Sequence, residues 1–146
     1  MSYWLLKSEP EEYSYADLMR EGKAVWDGVR NPQAQGFLRQ MRVGDLALFY
    51  YTGTVRAVVG IARVSREAFP DPTNPDYIAI EVIPVCALAQ PVSLAAYKAA
   101  GFVDFALVRQ PRLSVLPVPE SIWAWTLRQG GLPEGFDADP SAYKPT

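Results

Sequence analysis

The sequence predicts one α+β domain, built on a small, mostly antiparallel, barrel-like sheet of five to six strands with short helices between them. Short apolar or alternating runs recur along the chain, and turn residues separate them at hairpin spacing. Residues 46–51 are apolar on both alternating faces, which indicates a strand that is covered on both sides. The length of 146 residues fits a single domain, and we expect a loosely ordered tail after about residue 136.

One strand and two helices are predicted before residue 41. Residues 3–7 read as a strand that ends before Pro10. Ser14 and Asp17 have the spacing of a capping box, and Gly22 can end the resulting helix over 15–21. A loop over 26–31 then leads to Pro32, which suits the first turn of a second helix ending near residue 40.

The middle of the chain predicts a hairpin and a further strand. Residues 55–64 follow the strand over 46–51 and return beside it, with a bulge at Gly60. Three prolines predict that residues 69–76 form an exposed loop and no regular element. Residues 77–82 alternate as a half-buried strand.

The last part of the chain predicts two helices and a short strand. Ser93 caps a third helix that stops at Gly101. Residues 112–116 form a final short strand, and residues 119–129 a last helix closed by two glycines.

The composition excludes several classes of function. No stretch of about 18 apolar residues is present to span a membrane, and no secretion signal begins the chain, so we expect a cytoplasmic protein. The chain has no histidine, which removes Ser-His and Cys-His nucleophile pairs. Cys86 is the single cysteine, expected buried and reduced, and a structural zinc site is therefore excluded. We expect no metal and no cofactor.

The charge balance indicates local contacts with nucleic acid. A net charge of −2 argues against a protein that coats duplex DNA by bulk electrostatic attraction. The cations are mostly arginine, ten against four lysines, and guanidinium groups favour planar, bidentate contacts at a few points.

Three distant polar segments combine an aromatic ring, cations and short hydrogen-bonding side chains. They are residues 7–10 (Lys-Ser-Glu-Pro), 26–31 (Trp-Asp-Gly-Val-Arg-Asn) and 109–114 (Arg-Gln-Pro-Arg-Leu-Ser). Secondary structure does not require such polar sets at the ends of apolar runs. An aromatic face, fixed donors and nearby positive charge are what a pocket needs to hold one planar base attached to a phosphate.

Structural roles compete with functional roles for several of these residues. Asn31 is as well placed to cap the following helix as to contact a ligand. Arg30 has no local acidic partner except Asp27, which favours a functional role. Arg109 and Arg112 are as consistent with surface salt bridges as with phosphate contacts.

The ends of two strands add further candidates. Alternation places Ser8 on the core-facing side of the first strand, where the mouth of a barrel would lie. It also sends Tyr50 and Thr52 in the same direction, although Tyr50 is equally typical of a strand residue with its hydroxyl in water.

These segments, in this order, resemble the EVE domain family. The matching pieces are residues 3–10, 26–31, 43–45 with 49–50, 60–62 and 109–115. Each piece is weak evidence by itself, but together they make a specific match that runs from the first strand to the last. The resemblance implies a PUA-like fold, a mixed, mostly antiparallel pseudo-barrel related to the YTH, ASCH and SRA modules, over residues 1–146.

The resemblance also implies that the domain reads a modified base turned out into a pocket, with modified cytosine in DNA ahead of modified RNA. The side chains implied to line or support this pocket are Ser8, Trp26, Val29, Arg30, Asn31, Tyr50, Thr52, Arg109, Gln110, Leu113 and Ser114. Phosphate contacts are expected from Lys7, Arg30, Arg109 and Arg112. Many members carry a histidine and a serine where this chain has Tyr51 and Thr52, which puts the family's ligand preference in question here.

The predicted function is therefore a binding module without catalytic activity. Two alternatives stay open. One is an enzyme that acts on a modified nucleoside or nucleotide in the same pocket, with Glu9 or Asp27 as acid or base. The other is a protein-interaction domain that uses the segment 69–76, Trp123 or Trp125 as its contact surface.

Overall fold

A six-stranded sheet organises residues 1–132, the part of the chain that the computed structural model describes. The strands are β1 (Tyr3–Ser8), β2 (Ala24–Trp26), β3 (Leu46–Tyr51), β4 (Ala57–Asp71), β5 (Asn74–Ser93) and β6 (Val115–Pro117). The helices are α1 (Tyr15–Glu21), α2 (Pro32–Gln40), α3 (Leu94–Ala99), α4 (Ala106–Arg109) and α5 (Glu120–Gln129). The predicted α+β class is confirmed, and the predicted tail after about residue 136 lies outside the described residues.

The sheet has the strand order β2-β5-β4-β3-β1-β6. Its neighbouring strands are antiparallel except β1 and β3, which run parallel with Leu5 opposite Leu48. β2 lies at one end of this order and β1 with β6 at the other, yet both ends border the same cleft. The sheet is therefore curled, in agreement with the pseudo-barrel that the resemblance implied.

The core surrounds β3, which is buried along almost its whole length as its two apolar faces predicted. Leu48 and Phe49 are fully buried there, and Trp123 of α5 packs in the same core. Trp125, on another side of that helix, is half-buried against Tyr97 and Phe102. None of the described helices is both long and apolar enough to cross a membrane.

Helix starts follow the local signals in the sequence. Ser14 and Asp17 form the predicted capping box before α1, and Gly22 ends that helix with a positive φ of 78°. The side chain of Asn31 accepts a hydrogen bond from the amide of Ala34 at 3.0 Å, and Ser93 caps α3 in the same way. Helix α4 and the short strand β2 were not predicted, and β6 is shifted from 112–116 to Val115–Pro117.

The prediction of a proline-rich loop over 69–76 is wrong. β4 continues to Asp71 and β5 begins at Asn74, so that two residues alone connect a long hairpin. Proline fits because Pro70 and Pro75 are exposed at the far end of the hairpin, where register shifts already interrupt the ladder. The turn is closed by the side chain of Asp71, which accepts a hydrogen bond from the amide of Thr73 at 2.7 Å.

Gly60 lies at the predicted irregularity in β4 and is needed for close packing. A Cβ atom added at Gly60 would stand 2.5 Å from the ring of Tyr15, whose hydroxyl donates a hydrogen bond to the carbonyl of Ile61 at 2.6 Å. We expect Gly60→Ala to lower the free energy of unfolding by about 1–3 kcal/mol through overpacking, measured by urea denaturation. Gly36→Ala is the matched control, since that helical position has open space. Equal stability of the two variants would contradict this account.

Candidate functional site

A cleft of about 730 Å³ lies where the two ends of the curled sheet face each other. One side comes from β2 and the following loop, residues 24–30. The other comes from the end of β1 (Lys7 and Ser8), Thr52 after β3, and the turn before β6 with Arg112 and Ser114. The volume of the cleft is in the range of small-ligand sites. The three polar segments, residues 7–10, 26–31 and 109–114, all contribute to its lining.

The loop after β2 is held by a buried carboxylate from the tip of the β4–β5 hairpin. Asp71 has no exposed side-chain surface and accepts hydrogen bonds from the amide of Gly28 at 2.9 Å and from the guanidinium of Arg30 at 3.0 Å. Its other oxygen accepts from the amide and hydroxyl of Thr73. Burial acts to raise the pKa of this carboxyl, but the four hydrogen bonds outweigh burial and hold the pKa well below its usual range.

Arg30 is therefore not the isolated cation that the sequence indicated. Besides Asp71, its guanidinium donates to the hydroxyl of Thr73 at 3.0 Å and lies 4.5 Å from the ring centroid of Tyr77. Asp27 is the only acidic residue near Arg30 in the sequence, but the carboxylate that pairs with Arg30 belongs to Asp71, 41 residues away along the chain. Arg30 lines the cleft, but its charge is already compensated.

A second buried polar group fixes the same loop from helix α2. The side-chain amide of Gln35 donates to the carbonyl of Val29 at 2.8 Å and to that of Ile78 at 3.0 Å. Its oxygen accepts from the amide of Ile78 at 2.9 Å. Gln35 and Asp71 together tie the loop to β5 and to the hairpin tip, so that the wall of the cleft is preorganised.

The aromatic wall of the cleft consists of Trp26 and Tyr13. Trp26 is half-buried and meets the rings of Phe49 and Tyr13 edge to face, with centroid distances of 5.5 and 6.4 Å. The indole is thus anchored on the core through Phe49 while it still lines the cleft. Such a supported ring can stack on a planar ligand.

Four hydroxyl groups line the cleft, and those of Ser8, Tyr13 and Thr52 are hydrogen-bonded within the protein. Ser8 donates to the carbonyl of Tyr13 at 2.6 Å, and Tyr13 donates to the carboxylate of Glu21 at 3.2 Å. Thr52 donates weakly to the carbonyl of Ser8 at 3.5 Å, while its amide donates to the same carbonyl at 3.0 Å. These bonds tie β1, the end of β3 and the segment before α1 into one polar wall.

The cations of the cleft differ in how far their charge is compensated. Among residues 1–132, no carboxylate lies within ion-pair distance of Lys7, Lys23 or Arg112. The ammonium of Lys7 donates to the carbonyl of Pro111 at 2.9 Å, and burial lowers its pKa. A partly desolvated cation without a counter-ion favours an anionic ligand.

The structure brings together some of the predicted site residues and separates others. The predicted residues that line the cleft are Lys7, Ser8, Trp26, Val29, Arg30, Thr52, Arg112 and Ser114. Those that do not line it are Asn31, Tyr50, Arg109, Gln110 and Leu113.

Each of the separated residues has another place in the structure. Asn31 is the N-cap of α2, the alternative that the sequence left open. Tyr50 and Leu113 are buried in the core. Arg109 forms an exposed salt bridge with Asp104 at 3.4 Å, and Gln110 is the C-cap of α4.

Sequence reasoning missed Tyr13, Gln35 and Asp71, as well as the charged lining residues Glu12, Glu21 and Lys23. Nothing in the sequence around Tyr13 indicated that its ring lines the cleft. Asp71 and Gln35 lie far from the loop in sequence, and a buried polar partner at that separation leaves no local signal. Tyr51, which replaces the family's usual histidine, does not line the cleft, and its hydroxyl accepts from the amide of Tyr15 at 2.7 Å.

The carboxylates considered for catalysis are also placed by the fold. Glu9 and Asp27 both line the cleft with exposed side chains. Within the described part of the chain, no group of three or more cysteine, aspartate and glutamate side chains is arranged to hold a metal ion. Cys86 is half-buried and its burial raises the pKa of the thiol, which makes it less reactive.

A comparison with protein families matches residues 2–129 to the EVE domain. The chain belongs to the EVE domain family. Among curated relatives, thymocyte nuclear protein 1 from Mus musculus is 42% identical over 93 residues, which cover 52% of this chain and 41% of that protein. This EVE domain therefore spans less than half the length of that relative.

Solved structures share the fold of this EVE domain over nearly their whole length. A protein from Agrobacterium tumefaciens is 38% identical, with a TM-score of 0.87 over 90% of this chain and 94% of that chain. Human THYN1 protein, solved in complex with DNA that contains 5-methylcytosine, is 26% identical, with a TM-score of 0.78 over 91% of this chain and 99% of that chain.

Proposed function

We propose that this EVE domain binds nucleic acid that carries a modified base, with modified cytosine in DNA as the preferred ligand, and that it does so without catalysing a reaction. The observation that carries the proposal is the cleft, which is lined by Trp26, by hydroxyl groups and by cations that have no counter-ion within residues 1–132. The human relative solved with DNA containing 5-methylcytosine supports the choice of ligand.

The proposed mechanism turns one base out of the strand and into the cleft. Taking a base out of a duplex costs a few kcal/mol, and stacking on Trp26 returns about 1–3 kcal/mol. Hydrogen bonds at the polar wall then fix the edge of the base, while Lys7 and Arg112 contact the flanking phosphates. The absence of histidine from the sequence supports binding over proton-transfer chemistry near neutral pH.

The test is a binding comparison between DNA strands that differ in one base. Duplexes of one sequence, with cytosine or 5-methylcytosine at a single position, are titrated over a salt series, with matched RNA strands as further arms. We expect the methylated DNA to bind more tightly at every salt concentration. Equal affinity for all modified and unmodified strands would overturn the proposal, and mass analysis showing a converted base, lost in Glu9→Gln, would establish the enzyme instead.

Substitution of the cleft cations should change the salt dependence of binding. Each phosphate contact contributes about 0.9 to the slope of log affinity against log salt, so Lys7→Gln and Arg112→Gln should each reduce the slope by about one unit. Affinity should fall to a similar degree for modified and unmodified strands, because phosphate contacts carry no base information.

The matched controls are cations outside the cleft, Lys98→Gln on α3 and Arg128→Gln on α5. The slope should keep its wild-type value in both. An unchanged slope in Lys7→Gln and Arg112→Gln would show that neither residue contacts phosphate. A reduced slope in Arg109→Gln would assign a phosphate contact to the residue that the resemblance implied.

A further inference from the structure

Four hydroxyl groups line the cleft, and three of them already donate their protons inside the protein, whereas the hydroxyl of Ser114 forms no hydrogen bond among the described residues. Ser8 and Thr52 donate to backbone carbonyls, and Tyr13 donates to the carboxylate of Glu21. Carbonyl and ionised carboxylate oxygens can only accept, so the direction of each bond is fixed. A hydroxyl whose proton is committed in this way offers a ligand only its lone pairs; the bond of Ser8 at 2.6 Å commits its proton most firmly, and the weak bond of Thr52 at 3.5 Å least.

The phenol of Tyr13 keeps its proton throughout the physiological range. Burial, followed by the hydrogen bond to Glu21, raises the pKa of Tyr13 to about 12. The phenol therefore remains a donor to Glu21 and an acceptor toward the cleft. The exposed carboxylates of Glu9 and Asp27 add further acceptors to the lining.

The rings limit how a base can enter this wall. Tyr13 and Trp26 stand at 82° to each other, so a base cannot stack on both. A base stacked on the indole lies perpendicular to the ring of Tyr13. Stacking occupies the face of the base, so its hydrogen-bonding edge stays available to the polar side chains that line the cleft.

We propose that the hydroxyl wall, formed by Ser8, Tyr13 and Thr52, selects a base that carries an exocyclic amine; this inference rests on the proposed function. The N4 amine of cytosine presents hydrogens, whereas thymine presents the O4 carbonyl at the same position. Thymine and 5-methylcytosine both carry a methyl group at ring position 5. The hydroxyl wall therefore separates two bases that a methyl-binding surface alone cannot separate.

The experiment compares 5-methylcytosine with thymine at one position of otherwise identical single-stranded DNA, which removes differences in base pairing. Wild-type protein should bind the 5-methylcytosine strand roughly tenfold more tightly. Tyr13→Phe keeps the ring and removes one acceptor, so it should reduce that ratio by roughly fivefold with little change in thymine affinity. Thr52→Val should also reduce the ratio of affinities for the 5-methylcytosine and thymine strands.

Tyr77→Phe and Thr54→Val are the matched controls, because neither residue lines the cleft. Both should keep the wild-type ratio, and thermal melting should show that all four variants are folded. If wild-type protein prefers methylated strands but binds thymine and 5-methylcytosine equally, the inference is wrong and the proposed function stands. If Tyr13→Phe and Thr52→Val both keep the ratio, the inference is also wrong. If wild-type protein prefers no modified strand at all, the proposed function itself fails.

Discussion

Replacing Asp71 by asparagine should lower the free energy of unfolding by roughly 3 kcal/mol, which is the lower end of the range for removing one partner of a buried ion pair. The low end applies because Arg30 keeps 38% of its side chain exposed. Asparagine has one acceptor oxygen, so its amide nitrogen must face the amide of either Gly28 or Thr73, which are both donors. The loop over 26–31 should then loosen, and affinity for a modified base should fall with stability. Urea denaturation and oligonucleotide titration measure the two effects.

The effect of Asp71→Asn should also depend on pH in a defined direction. Because the folded state holds the pKa of Asp71 below its usual range, the carboxylate stabilises the wild type above the unfolded pKa of about 4. That stabilisation is lost as the pH falls through the folded pKa, so the difference between wild type and variant should shrink in acid.

Asp76→Asn is the control for this variant, because it removes an exposed carboxylate from the same hairpin. Its stability should stay within about 0.5 kcal/mol of wild type. Similar denaturation midpoints for Asp71→Asn and Asp76→Asn would show that the buried carboxylate does not hold the loop.

Trp26→Ala should reduce affinity for a modified oligonucleotide roughly 10- to 100-fold, the loss expected when a base can no longer stack on an aromatic side chain. Preference for the modified strand over the unmodified strand should fall with it. The substitution also removes packing against Phe49, so binding is measured below the melting temperature of the variant.

Trp125→Ala serves as the matched control for loss of packing. Trp125 is half-buried like Trp26 and packs on Tyr97 and Phe102, but it does not line the cleft. The Trp125→Ala variant should lose stability but keep its affinity for the modified oligonucleotide. If the two alanine variants lose affinity to the same degree, the indole of Trp26 does not contact the base.

Local chemistry was enough to predict where most helices begin. Ser14 with Asp17, and Asn31 with Pro32, satisfy or replace the unpaired amides of a first helical turn within a few residues. The buried strand β3 was predictable for the same reason, since its pattern needs no information about its partners.

The geometry of the cleft could not be predicted in this way. The partners of the 26–31 loop, Asp71 and Gln35, come from a hairpin tip and from one face of a helix. The ends of β4 and β5 that carry Pro70 and Pro75 were missed because proline weakens a strand pattern wherever it occurs. The hydrogen-bond ladder excludes proline only where an N–H group must pair. Family resemblance brought the correct segments together, but it did not distinguish lining residues such as Ser8 from a cap such as Asn31.

The hairpin tip also decides where this protein can be engineered. Two-residue turns at the ends of long arms ordinarily accept inserted peptides, tags or fluorophores with little penalty. Here an insertion between Pro72 and Thr73 would pull the Asp71 carboxylate away from the loop over residues 26–31. The turn over residues 53–56, which joins β3 to β4, has no comparable bond to that loop among the described residues and is the safer attachment point for a reporter.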